Sequence, residues 1–263
     1  MTSVGGRDTT ALAERADALR RLHRNPRPLV LPNAWDVASA RLVVKAGFSV
    51  VATSSGAIAA TLGYDDNDSM PVDEAFGVVA RITRSVSVPV TADVEAGYGL
   101  APEDLIERLL EAGAVGCNLE DTEHHGAAGL VEADENAERL RAVRHAAAQA
   151  GVDIVLNARV DVLRLEGDRG ELFEEAVRRA RLYLQAGADC VFPIRLADDA
   201  LIGEFVRRVE GPVNVVGAGA PPLARLAELG VARVSFAGFL MNQLYGSHEA
   251  KLSEIAAEAA AIS

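Results

Sequence analysis

Eight short β-branched runs, each followed by a longer segment of helical periodicity, recur without a break from about residue 28 to the end of the chain. The strand candidates are Pro28–Pro32, Ser49–Ser54, Val88–Asp93, Val115–Glu120, Asp153–Arg159, Asp189–Pro193, Val213–Gly217 and Val231–Ser235. Between them lie amphipathic segments such as Val37–Lys45, Pro102–Ala112, Asn136–Ala150 and Glu171–Ala186. Strict β–α alternation requires parallel strands with crossover helices, and eight such units in one series predict a parallel (β/α)8 barrel, the TIM barrel. Four helical segments end alike, in KAGF, EAGA, QAGA and ELGV. Gly47, Gly113, Gly187 and Gly230 are therefore expected to take the left-handed conformation that ends a helix before a strand.

The 263 residues suit one barrel, and no linker or low-complexity stretch divides them. The expected organisation is a tail and leading helix over residues 1–20 and a catalytic barrel over 21–263. MTSVGGRDTT lacks the apolar core of a signal peptide and reads as a loose tail. His248–Ser263 is a further alanine-rich amphipathic helix, which either closes this barrel or packs on a neighbouring subunit.

Composition removes several function classes. A net charge of −12 argues against nucleic acid and against anionic membrane surfaces, since both need clustered Lys and Arg. No apolar run reaches the ~20 residues of a membrane span. Cys117 and Cys190 are too few for a disulfide framework and fit buried positions in a reducing cytoplasm. The only lysines are Lys45 and Lys251, both in helical settings away from any strand end. Schiff-base aldolase, pyridoxal and phosphate-loop chemistry all need a lysine at the site, so none of them fits.

In a barrel of this kind the C-terminal strand ends carry the chemistry. The third strand ends TADVEAGYG, which in an extended chain puts Asp93 and Glu95 on one side. The fourth ends NLED, with Glu120 and Asp121, and the fifth NARVD, where Asn157 and Arg159 share a face. Asp93, Glu95 and Glu120 would repel one another if bare, and a hard divalent cation resolves this, with oxygen ligands favouring Mg²⁺ or Mn²⁺ over zinc. The alternative is a set of ion pairs among Asp93, Glu120 and Arg159 that only brace the mouth. With a cation, the site would bind a small-molecule carboxylate, and Arg159 would grip it by its planar fork.

Other positions carry two readings each. His124, His125 and Glu123 lie in the loop after the fourth strand, where one of them is an acid or all are solvated loop residues. Gly126 and Gly129 fit a lid or any exposed turn. Asn214 either contacts substrate or satisfies a neighbouring backbone group. GAGAPP after the seventh strand cradles a phosphate or simply turns. Trp35 and Tyr98 wall the pocket or cover the core. Asp36 reads as the N-cap of Val37–Lys45, without a chemical role.

Taken together, LPNAWDVASARLVVKAGF, VATSSG, LGYDD, PVTADVEAGYG, GCNLEDTE and LNARVDVL resemble the isocitrate lyase/phosphoenolpyruvate mutase superfamily over nearly the whole chain. The resemblance implies a (β/α)8 barrel, an essential Mg²⁺, and a tetramer built from dimers that swap their last helix. It implies that Asp93 contacts the metal while Asp66, Glu95 and Glu120 hold its water shell. Ser54, Ser55 and Gly56 would donate to the substrate carboxylate and oxyanion, with Arg159 as the carboxylate clamp.

Departures from the family narrow the reading. Isocitrate and methylisocitrate lyases carry a loop with Cys and Lys where this chain has EDTEHHGAAGLVEAD. The phosphonate-forming mutases place a Lys and an Asn in that loop, and neither is present. Members acting on oxaloacetate or substituted malates also lack the Cys loop and are most similar. The expected function is a Mg²⁺-dependent lyase that cleaves a C–C bond beside an α-keto or 2-hydroxy carboxylate through an enolate. The alternatives are phosphonate P–C chemistry on the same site, or a non-catalytic carboxylate-binding barrel.

Overall fold

A computed structural model describes residues 8–125 and 129–262. Eight parallel strands form its centre: β1 (Leu29–Leu31, resuming past Pro32 as Asn33–Ala34), β2 (Val51–Thr53), β3 (Val90–Asp93), β4 (Gly116–Glu120), β5 (Val155–Val160), β6 (Cys190–Pro193), β7 (Asn214–Val216) and β8 (Arg233–Ser235). Proline 32 has no N–H to donate, so it splits the first strand in two. The second half pairs with β2 and the first with β8. A Val191–Val213 bridge joins β6 to β7, which closes the ring. Nearly every strand residue is buried, as expected for strands covered on both faces.

The helices are α1 (Thr9–Leu22), α2 (Val37–Lys45), α3 (Ser55–Leu62), α4 (Val72–Ser85), α5 (Pro102–Glu111), α6 (Ala133–Gln149), α7 (Arg169–Gln185), α8 (Asp199–Val209), α9 (Leu223–Glu228) and α10 (Phe239–Ala261). Gly47, Gly113, Gly187 and Gly230 all have φ between 81° and 101°, as their shared AG or LG context predicts. Asp36 caps α2 by accepting from Ser39 N at 2.7 Å, and the Ser39 hydroxyl accepts from Asp36 N. GAGAPP leads into the six-residue α9, with Pro222 at its N-cap position.

Two segments differ from expectation. Thr9 and Thr10, read as tail, begin α1, because Asp8 accepts from Ala11 N and Leu12, Ala16 and Leu19 find burial under the barrel. Met1–Arg7 and Gly126 lie outside the described residues. The last helix starts at Phe239, nine positions before His248, and only Met241 of it is buried. Among the described residues no helix is long and apolar enough to cross a membrane.

The N-terminal end of the barrel is plugged. Leu19 of α1 approaches β4 so closely that a Cβ on Gly116 would lie 2.9 Å from it. The opposite, C-terminal end stays open, and the polar strand ends gather there.

Candidate active site

The mouth is built outward from β2 and β3. Ser54 caps α3, accepting from Ala57 N at 3.4 Å, which aims the first turn of α3 at β3. Asp93, the last residue of β3, accepts from Ser55 N at 3.2 Å and Ser55 Oγ at 3.0 Å. Its own N–H donates to Thr53 Oγ1 at 2.9 Å. A carboxylate on a helix N-terminus is favoured by the helix dipole. Even so, burial holds the Asp93 pKa above the ordinary carboxylate range; Arg159 pulls it down and Asp66 pushes it up.

Glu95 does not reach the mouth by strand alternation. The strand stops at Asp93, and Glu95 takes φ 49°, a left-handed conformation that costs energy in a residue with a Cβ. Asn67, Asp68 and Tyr98 also have positive φ, so the strain concentrates where the loop after α3 meets the loop after β3. The result is a tight cradle. Glu95 Oε2 accepts from the backbone of Asn67 at 2.7 Å and from Asp68 N, while Oε1 accepts from Tyr98 OH at 3.1 Å. Asp68 in turn accepts from Ala96 N and Tyr98 N at 3.3 and 3.1 Å. Burial, with Asp66, Asp68 and Asp93 nearby, pushes Glu95 up to about 7, and burial raises Asp68 too.

Glu120 closes the other side. It is buried at the end of β4, pairs with Arg159 Nη1, and lies 2.5 Å from His124 Nε2. Burial raises its pKa against the pull of His124 and Arg159, and the bond to Glu120 raises that of His124. Arg159 grips Asp161 with both Nε and Nη2, at 2.6 and 2.7 Å. Burial alone would raise Asp161, but Arg159, Thr122 and Arg164 together hold it low.

The fold thus brings Asp93, Glu95, Glu120, His124 and Arg159 to one mouth. Asp66 is exposed at its rim, with its carboxylate against Gly56, where a Cβ would lie 2.9 Å from Oδ2. The group whose ligand atoms all lie within 4.8 Å of one another is Asp68, Glu95 and His124. His124 is packed against Glu120, whereas His125 is mostly exposed and lies 3.3 Å from Asp68. Glu123 accepts from His125 N and lines a cavity of about 430 Å³ with Thr122, His124, Asp161 and Arg164. Trp35 is buried in a side cluster with Val51, Ile58 and Met70. Asn214 is fully buried below the mouth, donating to Ser235 Oγ at 3.1 Å.

Three contributors were not singled out from sequence: Asp68, Asp161 and Arg139. Arg139 donates to Ala96 O at 3.0 Å and Glu120 O at 2.5 Å, tying together the two loops that carry carboxylates. The YDDNDS run signals an acidic loop, but only the backbone turn selects which aspartate faces inward.

A closed parallel barrel with polar groups gathered at the C-terminal strand ends has the architecture of the barrel enzymes. The chain belongs to the isocitrate lyase/phosphoenolpyruvate mutase superfamily: the phosphoenolpyruvate phosphomutase family model matches residues 19–256. It is 30% identical over 222 residues to 2-methylisocitrate lyase of Escherichia coli (strain K12), covering 80% of this chain and 73% of that one. A crystal structure from Burkholderia cenocepacia J2315, assigned provisionally to the phosphonomutases, is 41% identical with a TM-score of 0.85, covering 91% of this chain and 99% of that one. The crystal structure of 2,3-dimethylmalate lyase is 27% identical with a TM-score of 0.80, covering 92% and 87%.

Proposed function

We propose that the chain is a Mg²⁺-dependent carbon–carbon lyase acting on a small α-keto or 2-hydroxy dicarboxylate, such as oxaloacetate or a substituted malate. One observation carries this: Asp68 and Glu95 place ligand atoms within 4.8 Å of each other and of His124, Asp93 acts electrostatically on Glu95, and among the described residues no arginine forms an ion pair with Asp68, Asp93 or Glu95. Mutual repulsion in a poorly hydrated site is relieved by a divalent cation, and all-oxygen donors fit Mg²⁺ or Mn²⁺. Asp68, Asp93 and Glu95 would hold it, with Asp66 and Glu120 on its surrounding water. Such an ion supplies positive charge to the oxygen that turns anionic when the bond beside a carbonyl breaks.

The remaining groups bind and move protons. The Ser55 N–H and hydroxyl, now on Asp93, lie at the start of α3, where an anionic substrate oxygen is favoured. Arg159 is held by Asp161 and Glu120, and a substrate carboxylate would compete for the same fork. His124 stands against Glu120, and that bond raises its pKa, as suits a proton donor. Its ring, bonded to Glu120 at the edge of the acidic cluster, is placed to act as the acid that returns a proton to carbon.

Assembly and location follow the same reading. Leu244, Tyr245, Leu252 and Ile255 stand exposed along α10, which suits a helix exchanged between subunits of a dimer of dimers. Cys117 and Cys190 are free and buried, and burial pushes both thiols up to about 12, as suits a cytoplasmic protein.

The phosphomutase family description favours P–C chemistry as a second reading. Against it, the only lysines are Lys45 and Lys251, exposed on α2 and α10. The test is turnover of oxaloacetate, substituted malates, methylisocitrate and phosphonopyruvate with Mg²⁺. Pyruvate or oxalate release from a dicarboxylate supports the lyase. Consumption of phosphonopyruvate alone selects the second reading, and binding without turnover leaves a carboxylate-binding barrel.

A further inference from the structure

Arg233 is the largest side chain in the fully buried interior, 1% exposed, and no carboxylate lies within ion-pair distance among the described residues. Arg179, the other buried arginine, is paired with Asp121 and Glu175. Arg233 instead donates from Nη2 to Asn118 Oδ1 at 2.9 Å, and its Nη1 lies 3.5 Å from His23 Nε2. Its Nε has no partner. His23 Nδ1 lies 2.9 Å from Leu19 O, so Nδ1 is the nitrogen that carries hydrogen and Nε2 accepts. Burial, then Arg233, drives the imidazole down to about 4, so it is neutral and the guanidinium bears the charge alone.

Strand register fixes where that charge sits. Asn118 is the β4 partner of Asp93 and lies two residues before Glu120, on the same face. Asn118 also accepts from Asn157 Nδ2 at 2.9 Å, and Asn157 lies two residues before Arg159. The chain Arg233–Asn118–Asn157 therefore crosses the barrel in register with Asp93 and two residues below Glu120 and Arg159. Arg233 is bonded to the register partner of Asp93, and the Asp93 carboxylate favours its charged form. An unpaired buried cation is unfavourable by itself and is tolerated only near compensating negative charge. The nearest uncompensated negative charge is the mouth.

We propose that Arg233 is a positioning residue for the mouth: hung from Asn118, the register partner of Asp93, its guanidinium supplies a fixed positive field that tightens binding of a dianionic substrate and loosens binding of the divalent cation. This rests on the reading that the mouth holds Mg²⁺ and a carboxylate. It assigns opposite signs to the two ligands, which loss of packing cannot produce.

The experiment titrates the full-length protein with Mg²⁺ alone, then with oxalate at saturating Mg²⁺, for wild type, Arg233→Gln and Arg233→Lys. Arg233→Gln should bind Mg²⁺ about tenfold more tightly and oxalate about tenfold more weakly, because one unit of buried charge has gone. Arg233→Lys keeps the charge and should stay within about twofold of wild type for both. Should the Gln variant not fold, Arg233→Met, close in volume and without a polar end, takes its place. Weakening of both ligands together, or no change in either, overturns the field. A wild type that binds neither Mg²⁺ nor oxalate removes the reading of the mouth itself, and this inference with it.

Discussion

At the N-terminal end of the barrel Asp189 takes Arg20 Nε at 2.9 Å, Arg144 Nη2 at 2.6 Å and Leu156 N at 2.9 Å. At the C-terminal end Asp93 takes Ser55 N and Oγ, while Glu95 takes two backbone N–H groups and a tyrosine hydroxyl. Burial raises the pKa at both ends, yet the two arginines hold Asp189 below the usual range, whereas Asp93, Asp68 and Glu95 stay above it. The same residue types pair with arginines at one end and rest on neutral donors at the other. Carboxylates gathered without an arginine among the described residues for Asp68, Asp93 or Glu95 mark a site suited to something positive.

Substitutions at the two ends should separate cleanly. Asp93→Ala should cut turnover by about 10³-fold or more and abolish the Mg²⁺-dependent rise in Tm, while the metal-free Tm stays equal or increases. A lowered metal-free Tm would place Asp93 with the bracing residues instead. Asp189→Ala should do the reverse. It strands Arg20 and Arg144, destabilising the fold by about 2–4 kcal/mol with the Mg²⁺ response retained, as measured by thermal or denaturant unfolding.

The pH dependence should also differ in sign. Glu95 binds its proton more tightly folded, at about 7, than at the ordinary 4.5. Its contribution is therefore present at low pH and lost as pH rises from about 4.5 through 7, worth at most about 3 kcal/mol. Asp189 is depressed, so its contribution is lost only as pH falls through the low carboxylate range. Metal-free Tm measured from pH 5 to 7.5 should decline, and Glu95→Gln should flatten that decline; a Tm climbing across the window refutes the assignment. The smallest effect expected is for His124→Gln, about 10²-fold in turnover with Mg²⁺ affinity unchanged. Loss of Mg²⁺ binding in that variant would make His124 a ligand and not the acid.

The sequence showed some of this better than the rest, for physical reasons. Strand positions, the four helix-ending glycines and the Asp36 cap depend on neighbours a few residues away, and they stand where the pattern puts them. The acidic strand ends were legible for the same reason, since a barrel always presents those ends together. What could not be read depends on contacts across the fold. Glu95 reaches the mouth through a left-handed turn that no glycine announces, and Asp68 is turned inward by two residues of positive φ. Thr9 and Thr10 look like tail until Leu19 is seen under Gly116. His124 resembles a loop residue until Glu120 lies 2.5 Å from it. Arg233 carries no local signal at all; its isolation from carboxylates appears only when the barrel closes.

The account stands or falls on direct calorimetric titration of Mg²⁺ into the full-length protein near pH 6.5, beside Asp93→Ala and Asp68→Ala. It predicts one ion per chain, proton release as Glu95 ionises, and no binding in either variant. Absence of binding in the wild type, or undiminished binding in both variants, would contradict it.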